Sequence, residues 1–426
     1  MSRVMVVCPT HRDLRELSAL EESREHMFAC HEYASDALEN LTAADRDDGI
    51  SISDPEDEIE TLVDRCVRER IDAVVSADDY PGSTLAAIVA RRLGLPGVAP
   101  QANLLCQHKY FCRELQREAA PDAAPWCRLI DVRAEAPLPP DLDFPAFVKP
   151  AKSFFSVGAR RVESPAELVE AKREWADAYA FFAPFDRLLR RYAGRAMGHD
   201  LLVAEGLLRG QQVTLDGYVH NGECRLMGVT DSIMFPGTIA FQRFEYPSSL
   251  PAEAQEKMFE IARRVMLRIG FDNGQFNIEF MYDGSSGDVG IIEINPRMSS
   301  QFGDLFEKVD GTNGYSVMLA LALGREPLVK RRAGRHKMAA SCVLRTFENR
   351  LALKLPTAEE IERARERYSD IRIEILATEG RKLSQQMQDG HSYRYGLINI
   401  GGEDRAHILN AFDQCLEILT FSLAPV

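Results

Sequence analysis

The densest chemistry in the sequence lies between Phe276 and Arg297, FNIEFMYDGSSGDVGIIEINPR. Two stretches of alternating character flank Gly284-Ser285-Ser286-Gly287, the pattern of a β-hairpin. With the turn centred on Ser286, Glu279 falls opposite Glu293 and Asn277 opposite Asn295. Opposed residues carry Cβ atoms about 5 Å apart, and strand alternation puts Glu279, Glu293 and Asn295 on one face. Two carboxylates so placed repel, and a purely solvated hairpin gives no reason to set them opposite each other beside Phe276, Ile278 and Phe280. A divalent cation removes the difficulty: hard Mg2+ takes carboxylate and amide oxygens and keeps positions for phosphates. Two ions roughly 3.5 to 4 Å apart could be bridged by one such carboxylate. A bulge would shift this register, so the pairing is an expectation.

The hairpin itself holds no lysine. Upstream, Val148-Lys149-Pro150 ends a strand-like run, and Ala151 to Arg160 is a small-residue loop whose N–H and hydroxyl groups could cradle phosphates. Taken alone, the triple is equally an ordinary strand end, and Glu205 an ordinary strand-end carboxylate.

The elements that must position these groups are legible in outline. Val4 to Val7 runs into Pro9-Thr10-His11, and Ile71 to Val75 into Ser76-Ala77-Asp78-Asp79, as in buried parallel strands whose following loops face a cleft. No GxGxxG follows either strand, so no dinucleotide site is indicated. Asp54-Pro55-Glu56-Asp57-Glu58 opens a helix running to Arg68 and Arg70, with a cap, a first-turn proline and charges suited to the helix dipole, which accounts for the acidic cluster without a ligand. A helix from about Leu85 to Leu93 ends at Gly94, and another begins near Asn103 and carries Lys109. Ala136-Pro137-Leu138-Pro139-Pro140 suits a subdomain hinge. Ser164-Pro165-Ala166-Glu167 is a capping box starting a helix that turns Leu168, Ala171 and Trp175 to one face. Ala176 to His199 reads as helical, aromatic and arginine-rich; covering the active site, packing on another subunit and simple insertion all stay open for it. Toward the end come a strand from Ala339 to Phe347, a helix from about Ala358, strands at Ile371–Ile375 and Leu397–Ile400, and a closing helix from Arg405.

At 426 residues, the chain is long enough for about two to four domains and needs no disulfide or metal staple. Its 65 acidic and 51 basic residues, net −14, argue against nucleic acid or an anionic membrane as the main partner. Nine scattered cysteines without a CxxC, no apolar run of membrane-spanning length and no signal peptide point to a cytoplasmic protein.

Taken in order, Lys109, Val148-Lys149-Pro150 with its loop, Ala204-Glu205-Gly206-Leu207-Leu208-Arg209-Gly210, Asn277-Ile278-Glu279-Phe280 and Glu293-Ile294-Asn295-Pro296-Arg297 resemble the ATP-grasp superfamily, and within it the biotin carboxylase-like carboxylate-amine (L-amino acid) ligases. The resemblance implies an α/β (α+β) ATP-grasp fold: a Rossmann-like pre-ATP-grasp domain over 1–104, an ATP-grasp domain over 105–325 with a lid subdomain at about 140–205 and the catalytic hairpin at 275–297, and a C-terminal domain over 326–426. It assigns Lys109 and Lys149 to the ATP phosphates, Ser156 to the lid loop, and Glu205 with the backbone of Gly206, Leu207 and Leu208 to adenine. Gln212 stands where many members carry a ribose-binding glutamate. Glu279, Glu293 and Asn295 would hold Mg2+, two ions with Mn2+ as a substitute, and Arg297 would hold a developing acyl phosphate, with Lys149 and Arg297 as the catalytic pair.

The implied reaction is ATP-dependent phosphorylation of a small carboxylate, amino acids foremost, followed by attack of an amine to give an amide or dipeptide, ADP and phosphate. Biotin carboxylases have a glutamate four residues after the arginine of this motif, where Gln301 stands here and cannot take a proton. No AMKM-like biotin attachment motif is present, and the lid loop has the single glycine Gly158. Biotin carboxylation is thus disfavoured. Ser299, Ser300 and Gln301 would line an amino-acid pocket or serve packing alone; Phe235, Phe241 and Arg243 are further substrate candidates, Arg243 for a carboxylate or as a surface arginine. A homodimer is compatible with the resemblance. Two alternatives stay open, a bicarbonate-activating carboxylase-like enzyme and a non-catalytic ATP-binding regulatory protein.

Overall fold

The computed structural model describes residues 1–32, 54–133, 136–153, 158–176, 182–196, 200–385 and 392–426. The first unit contains β1 (Ser2–Val7), α1 (His11–Ala19), β2 (His26–His31), α2 (Pro55–Glu69), β3 (Ala73–Val75), α3 (Thr84–Leu93), α4 (Pro100–Gln107) and α5 (Lys109–Ala119). Its strands form a parallel sheet in the order β2-β1-β3. α2 starts as its sequence dictates, with the Asp54 side chain accepting the Glu56 N–H and Pro55 in the first turn, and α3 stops at Gly94 in the left-handed conformation. The helix expected from Asn103 through Lys109 is instead two helices. His108 is extended between them and its ring caps the Phe111 N–H, so Lys109 opens a helix rather than continuing one. The Lys109 N–H, freed by that break, donates to the Ala151 carbonyl at 2.8 Å and fixes the lysine beside the loop after the next sheet.

That sheet is antiparallel, in the order β4-β7-β5-β6, from β4 (Cys127–Asp131), β5 (Ala146–Pro150), β6 (Arg160–Val162) and β7 (Leu201–Gly206). The sheet thus takes β4 from before the expected lower bound near 140, and the proline-rich stretch follows that strand. α6 (Pro165–Ala176) buries Leu168, Ala171 and Trp175 as its spacing requires. α7 (Ala183–Ala193) buries Phe185, Leu188 and Leu189, while its polar side sends Arg187 to Asp54 and Glu56 and Arg191 to Glu56. The acidic start of α2 thus has partners inside the chain as well as a dipole to serve.

The third unit is built on an eight-stranded antiparallel sheet. It comprises β8 (Gln211–His220), β9 (Glu223–Met234), β10 (Phe241–Tyr246), α8 (Ala252–Ile269), β11 (Gly274–Asp283), β12 (Asp288–Asn295), α9 (Gly303–Asp310), α10 (Gly314–Ala322), β13 (Met338–Thr346), β14 (Arg350–Lys354), α11 (Ala358–Arg367), β15 (Arg372–Ile375), β16 (Tyr393–Gly402), α12 (Arg405–Ile418) and β17 (Ser422–Pro425). The order is β12-β11-β8-β9-β10-β13-β16-β15, with β14 and β17 paired separately. Because β13 pairs with β10, the residues expected as a separate domain from 326 extend the same sheet. One sheet face carries Phe276, Ile278 and Phe280 into a core with Met258, Ile261 and Val265 of α8. The other carries Phe244 and Tyr246 against Phe302 and Phe306. Each such side chain contributes about 1.5–3 kcal/mol on burial, enough to fix which strand residues face which way. All nine cysteines are free, and no described helix is long and apolar enough to cross a membrane.

Candidate active site

In the hairpin Asn277 lies opposite Asn295 and Glu279 opposite Glu293, as expected from the sequence. The route to that pairing differs. Asp283 pairs with Asp288 and Phe280 with Ile291, which centres the turn half a residue before Ser286, and a bulge at Ile292 adds the missing residue back. A bulge leaves its extra residue outside the ladder. Here the Ile292 carbonyl takes Lys149 Nζ at 2.9 Å and Arg113 Nη2 at 3.1 Å, so the irregularity ties the hairpin to β5 and α5.

Lys149 ends β5 with its ammonium 2.8 Å from Glu205 Oε2, and Arg113 Nε reaches Glu205 Oε1 at 3.0 Å. Lys109 Nζ lies 3.0 Å from Glu293 Oε1 and 3.1 Å from the Ser153 carbonyl. Gln212 donates to Glu279 Oε2 at 2.9 Å. These contacts give the carboxylates opposite electrostatic fates. Burial alone would raise Glu205, but Arg113 and Lys149 outweigh it and hold the carboxyl below its ordinary range. Glu279 is pushed up to about 7 by burial and then by the Glu293 charge, which no nearby cation fully offsets. Asp216, on the same face of β8, is pushed up to about 7 by burial. Two carboxylates and an amide carbonyl on adjoining strands, one carboxylate strained toward its neutral form, are the donor set a hard divalent cation needs.

Arg297 leaves the hairpin with Nη1 on the Met298 carbonyl at 3.1 Å and Nη2 3.6 Å from Asp79 Oδ2. Asp79, in the loop after β3, places its other oxygen 3.3 Å from Lys152 Nζ. Lys152 is buried; it donates to Gln107 Oε1 at 2.9 Å and lies 5.3 to 6.0 Å from the ring centres of Tyr80, Phe185 and Phe182. Burial depresses its ammonium below the ordinary lysine value against the pull of Asp79. In the described part of the 176–199 segment, Phe182 and Phe185 pack beside Lys152.

Gly206 ends β7 and Gln211 begins β8, so residues 207–210 link the two sheets at the place the resemblance assigns to adenine. The Gly206 N–H donates to the Trp126 carbonyl. Gly210, at φ +107, sits so close to the Tyr282 carbonyl that a Cβ would lie 1.9 Å from its oxygen, and Leu208 occupies the space a Gly290 Cβ would need. The Glu205 carboxylate is committed to Arg113 and Lys149. Ser299 donates its N–H to Asp216 at 3.4 Å, Ser300 Oγ accepts Arg12 Nη1 at 2.9 Å, and Gln301 donates to Ser341 Oγ at 2.8 Å. Arg12 also pairs with Glu374 at 2.9 Å, so Ser300 sits where the first unit meets the third.

Arg243 does not join this site. Strand alternation puts it with Glu245, 2.6 Å away, on the opposite sheet face, where Arg405 of α12 completes an Arg-Glu-Arg row. Phe241 packs on Phe244, and Phe235 meets Phe347 edge to face. Ser156 lies outside the described residues. Sequence reading gives no role to Arg113, Asp216, Asp79 or Lys152. Arg113 meets Glu205 across 92 residues of chain, and only the tertiary fold reveals such a pairing.

Residues 142–304 match the family model described as "ATP-grasp domain". Carnosine synthase 1 of Gallus gallus is 29% identical over 288 residues, which cover 63% of this chain and 29% of that protein. The chain thus spans less than a third of that relative's length. Among solved structures, L-amino acid ligase from Bacillus licheniformis matches with a TM-score of 0.76 at 17% identity, covering 99% of this chain and 98% of that one. A biotin carboxylase from Campylobacter jejuni, crystallised as a β,γ-ATP complex, matches at 0.65 and 16%, covering 99% and 92%. The chain thus has the fold of these solved structures and carries the ATP-grasp domain match within it, over residues 142–304.

Proposed function

We propose that the protein is an ATP- and Mg2+-dependent carboxylate-amine ligase that activates a small carboxylate, an amino acid foremost, as an acyl phosphate and joins it to an amine. The observation that carries the reading is the convergence of Lys109, Lys149 and Arg297 on one sheet face with Glu279, Glu293 and Asn295. The kinship with an L-amino acid ligase fold and with carnosine synthase 1 supports it.

Phosphoryl transfer onto a carboxylate gathers two anions, so catalysis is chiefly positioning and cationic stabilisation. Lys149, held by Glu205 and the Ile292 carbonyl, presents a fixed ammonium to phosphate oxygens, and Lys109 presents a second. Glu279, Glu293 and Asn295 would hold one or two Mg2+ ions, which would supply positive charge against the phosphates and offset the carboxylate repulsion. Arg297 receives the acyl phosphate, and the 207–210 link receives adenine through its backbone. Gln212 donates to Glu279 from the position the resemblance assigns to ribose contact. Gln301 has no proton-accepting side chain and is engaged with Ser341, which disfavours bicarbonate activation by a base at this position. The nine free cysteines suit a reducing cytoplasm.

The test is ADP release against pooled amino acids and small carboxylates with Mg2+ and hydroxylamine present. A hydroxamate whose mass names one acid is the expected result. ADP formed only with bicarbonate, or tightly bound ATP that is never cleaved with any acid and amine, would sink the ligase reading.

A further inference from the structure

An asparagine can serve a cation only through its carbonyl oxygen, and a free amide can turn either end toward the ion. In this protein the choice is made two side chains deeper. Asn295 donates Nδ2 to Asn277 Oδ1 at 3.3 Å, and Asn277 donates its own Nδ2 to Asp216 Oδ2 at 3.0 Å. Asp216 takes the Ser299 N–H on its other oxygen. The three side chains lie side by side across β8, β11 and β12, because the ladder pairs Asp216 with Asn277 and Asn277 with Asn295. They are 3%, 4% and 7% exposed, so water cannot substitute freely for any link.

Each link has one polarity. An ionised carboxylate only accepts, so Asn277 must show Asp216 its NH2 group and therefore show Asn295 its oxygen. Asn295 must then spend its own NH2 on Asn277, and its carbonyl oxygen is left for the face shared with Glu279 and Glu293. We propose that Asp216 is a positioning residue which, acting through Asn277, fixes Asn295 with its carbonyl oxygen toward the divalent cation of the site. The inference rests on the metal assignment made above. It adds that the chain controls which atom of Asn295 is offered, and that the same carboxylate pins Ser299, so the two ends of the Asn295–Ser299 segment that carries Arg297 share one anchor.

The experiment is Mn2+ binding, read by the electron paramagnetic resonance of free Mn2+, to the full chain with a non-hydrolysable ATP analogue at pH 8. Melting in EDTA and analogue binding without metal are recorded alongside. Asp216→Leu removes the acceptor and is expected to weaken Mn2+ by about 10- to 100-fold, the usual effect of losing an outer partner of a metal ligand. Asp216→Asn keeps the shape but no longer dictates polarity, and should weaken Mn2+ less. Asn295→Asp alone should bind poorly, because its new carboxylate faces the Asn277 oxygen. The double variant Asp216→Asn, Asn295→Asp should recover affinity toward the wild type, since Asn277 can turn over, donating to the carboxylate at 295 and accepting from the amide at 216. A role confined to packing predicts no such rescue. Unchanged Mn2+ affinity in both Asp216 variants, or a double variant no better than Asn295→Asp, overturns the proposal. If wild-type chain with the analogue binds no Mn2+ at all, the metal assignment itself fails first.

Discussion

Lys149 Nζ and Glu205 Oε2 lie 2.8 Å apart in a pocket where both residues are 4% exposed. The pair joins neighbouring strands of the four-stranded sheet, and the same carboxylate takes Arg113, which also grips the Ile291 and Ile292 carbonyls of the hairpin. One carboxylate therefore sets the position of Lys149, the proposed phosphate-binding lysine, relative to the hairpin proposed to hold the metal. Removing it leaves two buried cations short of a partner, and breaking a buried pair from one side costs about 3–5 kcal/mol. Glu205→Gln should lower the urea midpoint accordingly and raise the KM for ATP more than that for the carboxylate. A variant with wild-type midpoint and KM would show that Glu205 organises nothing.

Arg297 touches the Met298 carbonyl and, at 3.6 Å, Asp79, so it is held loosely enough to meet an incoming anion. Arg297→Ala should lose hydroxamate formation by roughly 100-fold or more, on the order of the cost of removing one preorganised stabiliser of developing negative charge. ATP-analogue affinity should stay within a few-fold, measured by calorimetry. Asp79→Asn should cut turnover less, because it releases Arg297 and Lys152 without removing either charge. Equal losses of turnover and analogue binding in Arg297→Ala would place the residue on ATP instead of on the acyl phosphate.

Glu279 predicts an unusual pH dependence for the metal-free protein. Its folded value of about 7 lies above the ordinary 4.5, so between these limits the native chain binds more protons than the unfolded one. Stability must then fall as pH rises through that window, this carboxyl contributing at most about 1.4 kcal/mol per pH unit, and level off above 7. Asp216, raised from 3.8 to about 7, adds in the same direction. In EDTA the melting temperature should decline from pH 5 to pH 8, Glu279→Gln should make the decline shallower, and Mg2+ should stabilise more at pH 8 than at pH 6. A melting temperature that rises over this range in EDTA would contradict the raised value of Glu279 beside Glu293.

The sequence exposes the hairpin chemistry well because alternation and a Gly/Ser turn are local facts, and Glu279, Glu293 and Asn295 follow from them. It does not expose the bulge at Ile292, whose apolar side chain looks like any strand residue, although that bulge supplies the carbonyl on which Lys149 and Arg113 meet. Arg243 stands among the substrate candidates on sequence because nothing local reveals which face of β10 it takes; its partner Glu245 also takes Arg405 of α12, far downstream. The break at His108 is hidden for a related reason. Neither glycine nor proline marks it, and its stabilising contacts come from the His108 ring on Phe111 N–H and from Ala151.

The link between the two sheets offers a steric test of where adenine sits. A Cβ on Gly290 would lie 2.4 Å from the Leu208 Cδ2, inside the closest real contact, so Gly290→Ala must displace the Leu208 side chain or the 207–210 backbone. Overpacking of this kind costs about 1–3 kcal/mol. If that backbone binds adenine, the substitution should raise the ATP KM several-fold while leaving the carboxylate KM and the kcat nearly unchanged. Leu208→Ala, combined with Gly290→Ala, removes the colliding methyl and should restore most of the ATP affinity, whereas Leu208→Ala alone leaves a gap and should weaken ATP modestly. The non-additivity is the informative quantity, since residues in contact couple and distant ones do not. Should Gly290→Ala leave the ATP KM untouched while clearly lowering stability, the strain is absorbed elsewhere and residues 207–210 are not the adenine contact.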